Sequence, residues 1–253
     1  MSLIIKFTRH SILYLILIFL LTSCSVQSIT SSDHATFFPK TDLSRSSNTE
    51  SKTSKYWWYA KFKFVWSKQK NTINFADNLI VAHQIIAPLL ATHQDSINLW
   101  RFHRRAALDD AGHQFSFIFY ATQETAGTIF KTIEDNVVSK TLLKENILEK
   151  LKLDNIAQSK HPNIEDTSDK NWSQAIQKSW PYYIMGVSIL WLDLVNQEII
   201  VSKLDTSQSI QLQRIQYKQI NEQITRQWKE QGKHAFFHHI SAIFGYEPLE
   251  IRF

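Results

Sequence analysis

The residues best suited to chemistry are cations that recur at every second position of aromatic-rich segments. The segments are YWWYAKFKFVW (56–66), INLWRFHRRAA (97–107) and HQFSFIFYAT (113–122). Alternation of apolar and polar residues predicts strands, in which every second side chain lies on the same face. The polar face of these predicted strands carries Lys61, Lys63, Arg101, His103, Arg105, Gln114, Ser116 and Tyr120. Guanidinium and ammonium groups bind phosphates and carboxylates, so the pattern predicts an anion-binding face.

Two other interpretations of this face stay open. It could be an ordinary solvated sheet face, or it could be covered by C-terminal helices whose Asp and Glu side chains neutralise it. If the second and third strands pair as a hairpin, Ser116 and His103 become neighbours and suggest a nucleophile with its base. Asp109 and Asp110 belong to the turn, too far along the hairpin to orient that histidine well.

The search for other catalytic motifs gives little. The sequence has no Gly-x-Ser-x-Gly elbow and no glycine-rich phosphate loop. His234 and His238 are four residues apart, so on a helix they would face the same way and could share a metal ion such as zinc. No glutamate between them completes a known zinc motif. We therefore predict a non-enzymatic binding module without a cofactor. The alternative is a hydrolase that uses Ser116 with His103 or a histidine-bound metal.

The elements that must position the polar face follow an alternating order. A strand at 56–66 precedes a helix that starts near Asp77 and is kinked or stopped near Ala87 by Pro88. A hairpin of two strands follows, and slipping its register by one residue would move every side chain to the other face. The alternation places Trp100 and Phe102 on the core side together with Phe115, Phe117 and Phe119.

The second half of the chain is predicted to be mainly helical. Helices are expected at 122–143 and 144–153, and an amphipathic helix at 207–231. Residues 182–195 are apolar on every side and predict a buried central helix, with Pro181 in the first turn. A shorter helix at 234–244 and a last strand at 248–253, PLEIRF, complete the chain.

This order predicts an α+β fold with a ferredoxin-like antiparallel sheet: strand, helix, strand, strand, helix, closed by the C-terminal strand after a helical extension. The alternative is a three-stranded antiparallel sheet with a separate helical cap. Composition agrees with a packed domain, because 43% of the residues are hydrophobic and 13% aromatic. Gly and Pro, at five each, are too scarce for a many-turned β sandwich.

The N-terminus carries a separate signal. Lys6 and Arg9 precede SILYLILIFLLTSC (11–24), which ends in Leu-Thr-Ser-Cys and holds the only cysteine of the chain. A cationic start, a short apolar run and a small-residue end are typical of a secretory signal peptide. A membrane-spanning helix would need about 20 apolar residues. The segment resembles the signal of bacterial lipoproteins, in which a lipobox directs lipid attachment to the cysteine and cleavage just before it.

The resemblance covers the first two dozen residues and implies a cellular location. Cys24 would carry a diacylglycerol and an amide-linked acyl chain, which meets the requirement of at least two chains for stable anchoring. Ser25, where some lipoproteins have Asp, would direct the protein to the outer membrane, facing the periplasm. A plain secretory signal is the alternative, but it would leave an odd free thiol in an oxidising compartment.

Four segments follow from these patterns. They are a signal peptide at 1–23, the lipidated Cys24 with a polar tether at 24–55, an α+β sheet region at 56–143, and a helical region at 144–253. Loss of the signal removes Lys6 and Arg9 and lowers the net charge from +5 by two, to +3, which is too little to predict a nucleic-acid partner. The expected partners are the bilayer, through Cys24, and an anionic envelope ligand or a partner protein.

Mass spectrometry of the protein expressed in a Gram-negative bacterium tests this predicted lipid anchor. We expect an N-terminus at Cys24 with acyl chains on that residue, and a protein that fractionates with membranes. Cys24→Ser should abolish acylation because it removes the thiol that accepts the lipid, whereas Ser28→Ala should leave it unchanged. An intact Met1 with an unmodified thiol would contradict the lipoprotein assignment.

Overall fold

The computed structural model describes residues 54–66, 73–106 and 112–249. The predicted signal peptide, Cys24 and nearly all of the tether lie outside these residues. So do Asp109 and Asp110 in the hairpin turn, and residues 250–253 of the predicted last strand.

Four antiparallel strands form the sheet. They are β1 (Lys55–Phe64), β2 (Leu99–Ala106), β3 (His113–Thr122) and β4 (Leu148–Leu153), in the spatial order β2-β3-β1-β4. Helices connect β1 to β2 and β3 to β4, and this arrangement is the ferredoxin-like one. The predicted α+β class is therefore confirmed, and a helical stretch follows the sheet as expected.

The position of the fourth strand was predicted wrongly. Residues 148–153, LEKLKL, form β4 beside β1, although 144–153 was expected to be a helix and 248–253 to be the closing strand. Asn146 has a φ of 53°, which ends the preceding helix. Among the described residues of the last segment, Pro248 and Leu249 belong to no strand.

Helices cover the aromatic side of the sheet. The first pair is α1 (Ala76–Val81) and α2 (Ala87–His93), joined by a π-helical turn at Ala82–Ile86. The irregularity predicted near Ala87 is this π turn, which ends two residues before Pro88 and places the proline in the first turn of α2, where its missing N–H is tolerated. The second pair is α3 (Gln123–Asp135) and α4 (Val137–Lys144), each with a side-chain cap, Thr122 and Asn136 respectively.

The core lies between this helical layer and the sheet. Large aromatic side chains from β1 and β3 are almost completely buried there: Trp58, Phe62, Phe64, Phe115, Phe117 and Phe119. Trp58 meets Phe130 of α3 edge to face, with ring centroids 6.3 Å apart. Complete burial of one such side chain stabilises the fold by about 2 kcal/mol, so this single face supplies much of the driving force.

The longest helix, α5 (Gln174–Ser202), packs along the edge strand β2. Its Ser188 Oγ accepts a hydrogen bond from the backbone N–H of Phe102 at 3.1 Å. Only a narrow stripe of the helix is buried, and Tyr182, Tyr183, Val187 and Leu190 are exposed. The expectation of a fully buried central helix is therefore wrong. By length and composition α5 could also cross a membrane, a test that core helices of soluble proteins pass as well.

Pro181 lies inside α5, not in the first turn of a new helix. A proline cannot donate to the carbonyl four residues earlier, here that of Gln177. The hydroxyl of Ser168 donates to this carbonyl instead, at 2.7 Å. The substitution of one donor for another explains how the helix continues through the proline.

The last long helix, α6 (Ile210–Gly232), docks on α1 through a buried ion pair. Arg214 donates to both carboxylate oxygens of Asp77, from Nε at 2.7 Å and from Nη2 at 3.1 Å. Nearby, the Tyr217 hydroxyl lies 2.7 Å from His83 Nδ1 and accepts from Gln84 Nε2 at 2.9 Å. A second π-helical turn, Lys233–His238, and the short helix α7 (His239–Ile243) follow α6.

We expect Arg214→Met to lower the free energy of unfolding by about 3 kcal/mol at neutral pH, because it leaves the buried Asp77 carboxylate without a counterion. Burial already raises the pKa of Asp77, and Arg214 opposes that rise. Loss of Arg214 should raise the pKa further, so the destabilisation should shrink as the pH falls and Asp77 becomes protonated. Denaturant unfolding at several pH values measures this. Arg226→Met, on the exposed face of the same helix, should change stability by less than about 0.5 kcal/mol; equal effects of the two variants would contradict the role of the ion pair.

Candidate functional site

Strand pairing brings the predicted polar residues together on one face of the sheet. Lys61, Ser116 and His103 are direct cross-strand neighbours in one row. The next row consists of Lys63, Gln114 and Arg105. A third row, on the other side, contains Tyr59, Ile118 and Arg101. The register of the hairpin is the one predicted from the alternation.

Strand β4 adds two lysines that the sequence had not placed on this face. Lys152 pairs with Lys61, and Lys150 pairs with Lys63. We call the resulting surface the basic face; it consists of Lys61, Lys63, Arg101, His103, Arg105, Lys150 and Lys152. Directly opposite side chains of a sheet lie about 5 Å apart, so like charges repel and an anion between them is favoured. The sequence did not place these lysines on the face because the segment LEKLKL was predicted to be a helix.

Acidic residues balance part of the basic face. Glu149, at the irregularity in the β1–β4 pairing, forms a salt bridge with Lys63 at 2.9 Å. Asp154 accepts a hydrogen bond from the backbone N–H of Tyr59 at 2.9 Å. Burial raises the pKa of Asp154, and this bond and the charge of Lys61 oppose the rise. Both of these acids lie on the β4 side of the face.

A loop covers one end of the face. The Trp57 indole donates to the carbonyls of Asn163 and Ile164, each at 3.0 Å. Tyr120 donates its hydroxyl proton to the carbonyl of Pro162 at 2.7 Å. Tyr120, predicted as a ligand contact, therefore anchors the loop in this structure. The other end, around His103, is exposed to solvent.

Arg101 is the most constrained cation of the open end. Its guanidinium stacks on the ring of Trp180, 4.9 Å from the centroid, and its buried Nε has no hydrogen-bond partner among the described residues. Burial lowers its pKa, while Tyr59 opposes that shift. Because stacking fixes the guanidinium plane without neutralising it, Arg101 offers an oriented donor to an anion.

His103 and Ser116 do not form a catalytic pair in the structure. Ser116 is buried, with 2% of its surface exposed, and its Oγ accepts from Gln114 Nε2 at 2.9 Å. Within residues 54–66, 73–106 and 112–249, no hydrogen bond joins His103 to Ser116. Burial lowers the pKa of His103, and the charges of Arg101 and Arg105 lower it further. His103 thus lies in a positive environment, unlike the histidine of a catalytic triad, which a carboxylate orients.

The candidate metal ligands His234 and His238 lie together in the second π-helical turn. Their rings stack with centroids 5.1 Å apart, and the ring of His239 lies 5.6 Å from that of His234. Among the residues that the structure describes, no group of three or more His, Cys, Asp or Glu side chains could hold a metal ion. The structure thus brings the two histidines together but supplies no further ligand.

One charged residue with an unusual environment was missed. Arg104 lies on the apolar side of β2, between the rings of Phe75 and Trp191, at 4.9 and 4.8 Å from their centroids. Its Nε donates to Asn78 and its Nη2 to Asn221, both at 3.2 Å. The alternation alone could have revealed it, because position 104 shares a face with Trp100 and Phe102.

Comparisons with protein-family models, with curated proteins and with solved structures find no match to this chain. The chemistry of its own side chains is therefore the basis for a functional assignment.

The electrostatics of the basic face can be measured through His103. We expect its pKa to lie below the usual value of about 6.5, and to rise in Arg101→Gln because one of the charges that depress it is removed. Histidine ring titration by NMR gives both values, with Arg226→Gln on α6 as a control of equal charge change. A pKa for His103 above the usual value in the unmodified protein would contradict this description.

Proposed function

We propose that this protein is a membrane-anchored envelope lipoprotein that binds an anionic ligand on the basic face of its sheet. One observation carries the proposal: the strand register collects seven basic side chains on one face, and His103, Lys150 and Lys152 among them are exposed to solvent. The lowered pKa of His103 supports it, because the charges of Arg101 and Arg105 contribute to that shift and so indicate a positive environment.

The geometry favours a ligand with more than one anionic group. Neighbouring strands lie about 4.8 Å apart, so cations on adjacent strands can contact separate phosphates or carboxylates of one molecule. Arg101 can form the paired hydrogen bonds that a guanidinium makes with such groups, and the lysines contribute charge without strict geometry. Lipid headgroups, the phosphates of lipopolysaccharide and acidic cell-wall peptides have this chemistry, and a partner protein could present it too.

The predicted anchor gives the face access to these ligands. A tether of the predicted length, about 30 residues, would have a root-mean-square reach of roughly 30 Å as a random coil, comparable to the thickness of a bilayer core. A domain tethered through Cys24 to the outer membrane would therefore work within the periplasm close to the headgroups. The tether would hold the basic face at a high local concentration relative to ligands of the same membrane.

The binding proposal can be tested on the full-length lipidated protein in a non-ionic detergent. The probe is a bisphosphorylated glucosamine disaccharide, and the same disaccharide without phosphates is the ligand control. We expect binding of the phosphorylated probe alone, with an affinity that falls as salt increases. Lys61→Gln together with Arg101→Gln should weaken binding at least about tenfold, because charge-assisted hydrogen bonds are lost.

A matched variant separates local contacts from net charge. Lys218→Gln with Lys229→Gln removes the same charge from exposed positions of α6 and should leave the affinity unchanged. If both double variants bind equally well, or if the unphosphorylated disaccharide binds as tightly, the basic face is not the binding site.

A further inference from the structure

A second surface, away from the basic face, has the form of a ligand site. A groove of about 880 Å³ lies between α5 and α6 and is bordered by the segment 233–243. Its walls are mainly apolar and include Val187, Leu190, Leu194, Ile224, Phe236 and Ile240. This volume lies in the range of about 300–1,000 Å³ that is usual for small-molecule sites.

The groove has one charged residue in its lining, Arg104. Within the described part of the chain, Arg104 forms no salt bridge, and its hydrogen-bond partners are the neutral amides of Asn78 and Asn221. Burial and the charge of Arg104 lower the pKa of His113 to about 4, and His239 also lines the groove. A cation held away from water without a counterion is costly, so an anion that enters the groove gains by pairing with it.

The position of Arg104 also limits the shape of that anion. Phe75 and Trp191 hold the guanidinium from two sides, and Asn78 and Asn221 engage Nε and Nη2. Nη1 has no hydrogen-bond partner among the described residues and remains for a ligand. A ligand must therefore bring a small anionic head to the inner part of an apolar groove and fill the rest with a slender apolar body.

We propose that the groove between α5 and α6 binds a long-chain carboxylic acid, with its carboxylate on Arg104 and its alkyl chain along the two helices. A carboxylate is a compact anion that pairs well with a guanidinium, and burial of an alkyl chain against apolar walls is favourable for each methylene group. This site is distinct from the basic face and takes a different chemical class of ligand.

Gly186 of α5 provides a way to close the groove. It lines the groove, and a Cβ at this position would meet no atom within 4 Å. Gly186→Ala should therefore be accepted without a clash and leave the site open. Gly186→Phe should place a ring in the groove and exclude an alkyl chain, without disturbing the packed face of the helix.

The test uses the full-length protein in its membrane and a photoreactive diazirine analogue of palmitate. We expect crosslinks to peptides that contain residues 182–194 and 224–243. Palmitate should compete for labelling, whereas hexadecanol, with the same chain and no charge, and acetate, with the charge and no chain, should not. Arg104→Gln should reduce labelling about tenfold or more, because a charge-assisted contact is lost. Gly186→Phe should abolish labelling, and Gly186→Ala should retain it.

Several results would overturn the proposal. Labelling that persists in Gly186→Phe, or that spreads over the exposed apolar residues outside the groove, would show non-specific adsorption. Equal competition by hexadecanol would contradict the proposed contact between a carboxylate and Arg104. Full labelling of an Arg104→Gln variant that has a native melting curve would contradict it too. Stronger competition by phosphatidylglycerol than by palmitate would assign the groove to a phospholipid. Arg101→Gln should be labelled as strongly as the unmodified protein. A result against the groove proposal can therefore be distinguished from a result against the basic-face proposal.

Discussion

The rest of the structure depends on one constraint: successive side chains of a β-strand lie on opposite faces of the sheet. Burial of Trp58, Phe62 and Phe117 beneath the helices fixes which side of each strand faces inward. The residues between them must then lie on the opposite face, since side chains alternate strictly along a strand. The cations are collected on one face by the same packing that builds the core. Hydrophobic burial, which carries no information about ligands, thus determines the geometry of the basic face.

Aromatic rings take the place of carboxylates around the two most constrained arginines. Arg101 stacks on Trp180, and Arg104 lies between Phe75 and Trp191. A ring face attracts a guanidinium and holds its plane, but it has no net charge to cancel. Both arginines are therefore oriented while they keep their full positive charge. Asp77 and Arg214 show the contrasting case, in which a bidentate pair neutralises both partners and serves only to dock α6 on α1.

The parts of the fold that were predictable are those governed by local periodicity. The strands β1, β2 and β3 and the register of the hairpin follow from alternation that involves a few neighbouring residues. Strand β4 was not predictable in this way, because Leu148 and Leu151 are three apart and fit a helix as well as a strand. Pairing with β1, nearly ninety residues earlier in sequence, decides between them. The exposed side of α5 was missed for a similar reason. Its residues are apolar on every side, so the sequence does not show which side faces the sheet. The hydrogen bond between Ser188 and Phe102 that orients the helix joins residues far apart in sequence.

The two edges of the sheet are closed in different ways. Along β2, α5 lies over the strand, and Ser188 accepts the N–H of Phe102 that another strand would otherwise use. Along β4, Lys150 and Lys152 are exposed, and the pairing with β1 shifts at Lys63. Lysines and irregular pairing on an outer strand discourage the addition of a strand from a neighbouring molecule. Copies crowded together should consequently resist β-mediated aggregation, even though each exposes a large amount of apolar helix surface.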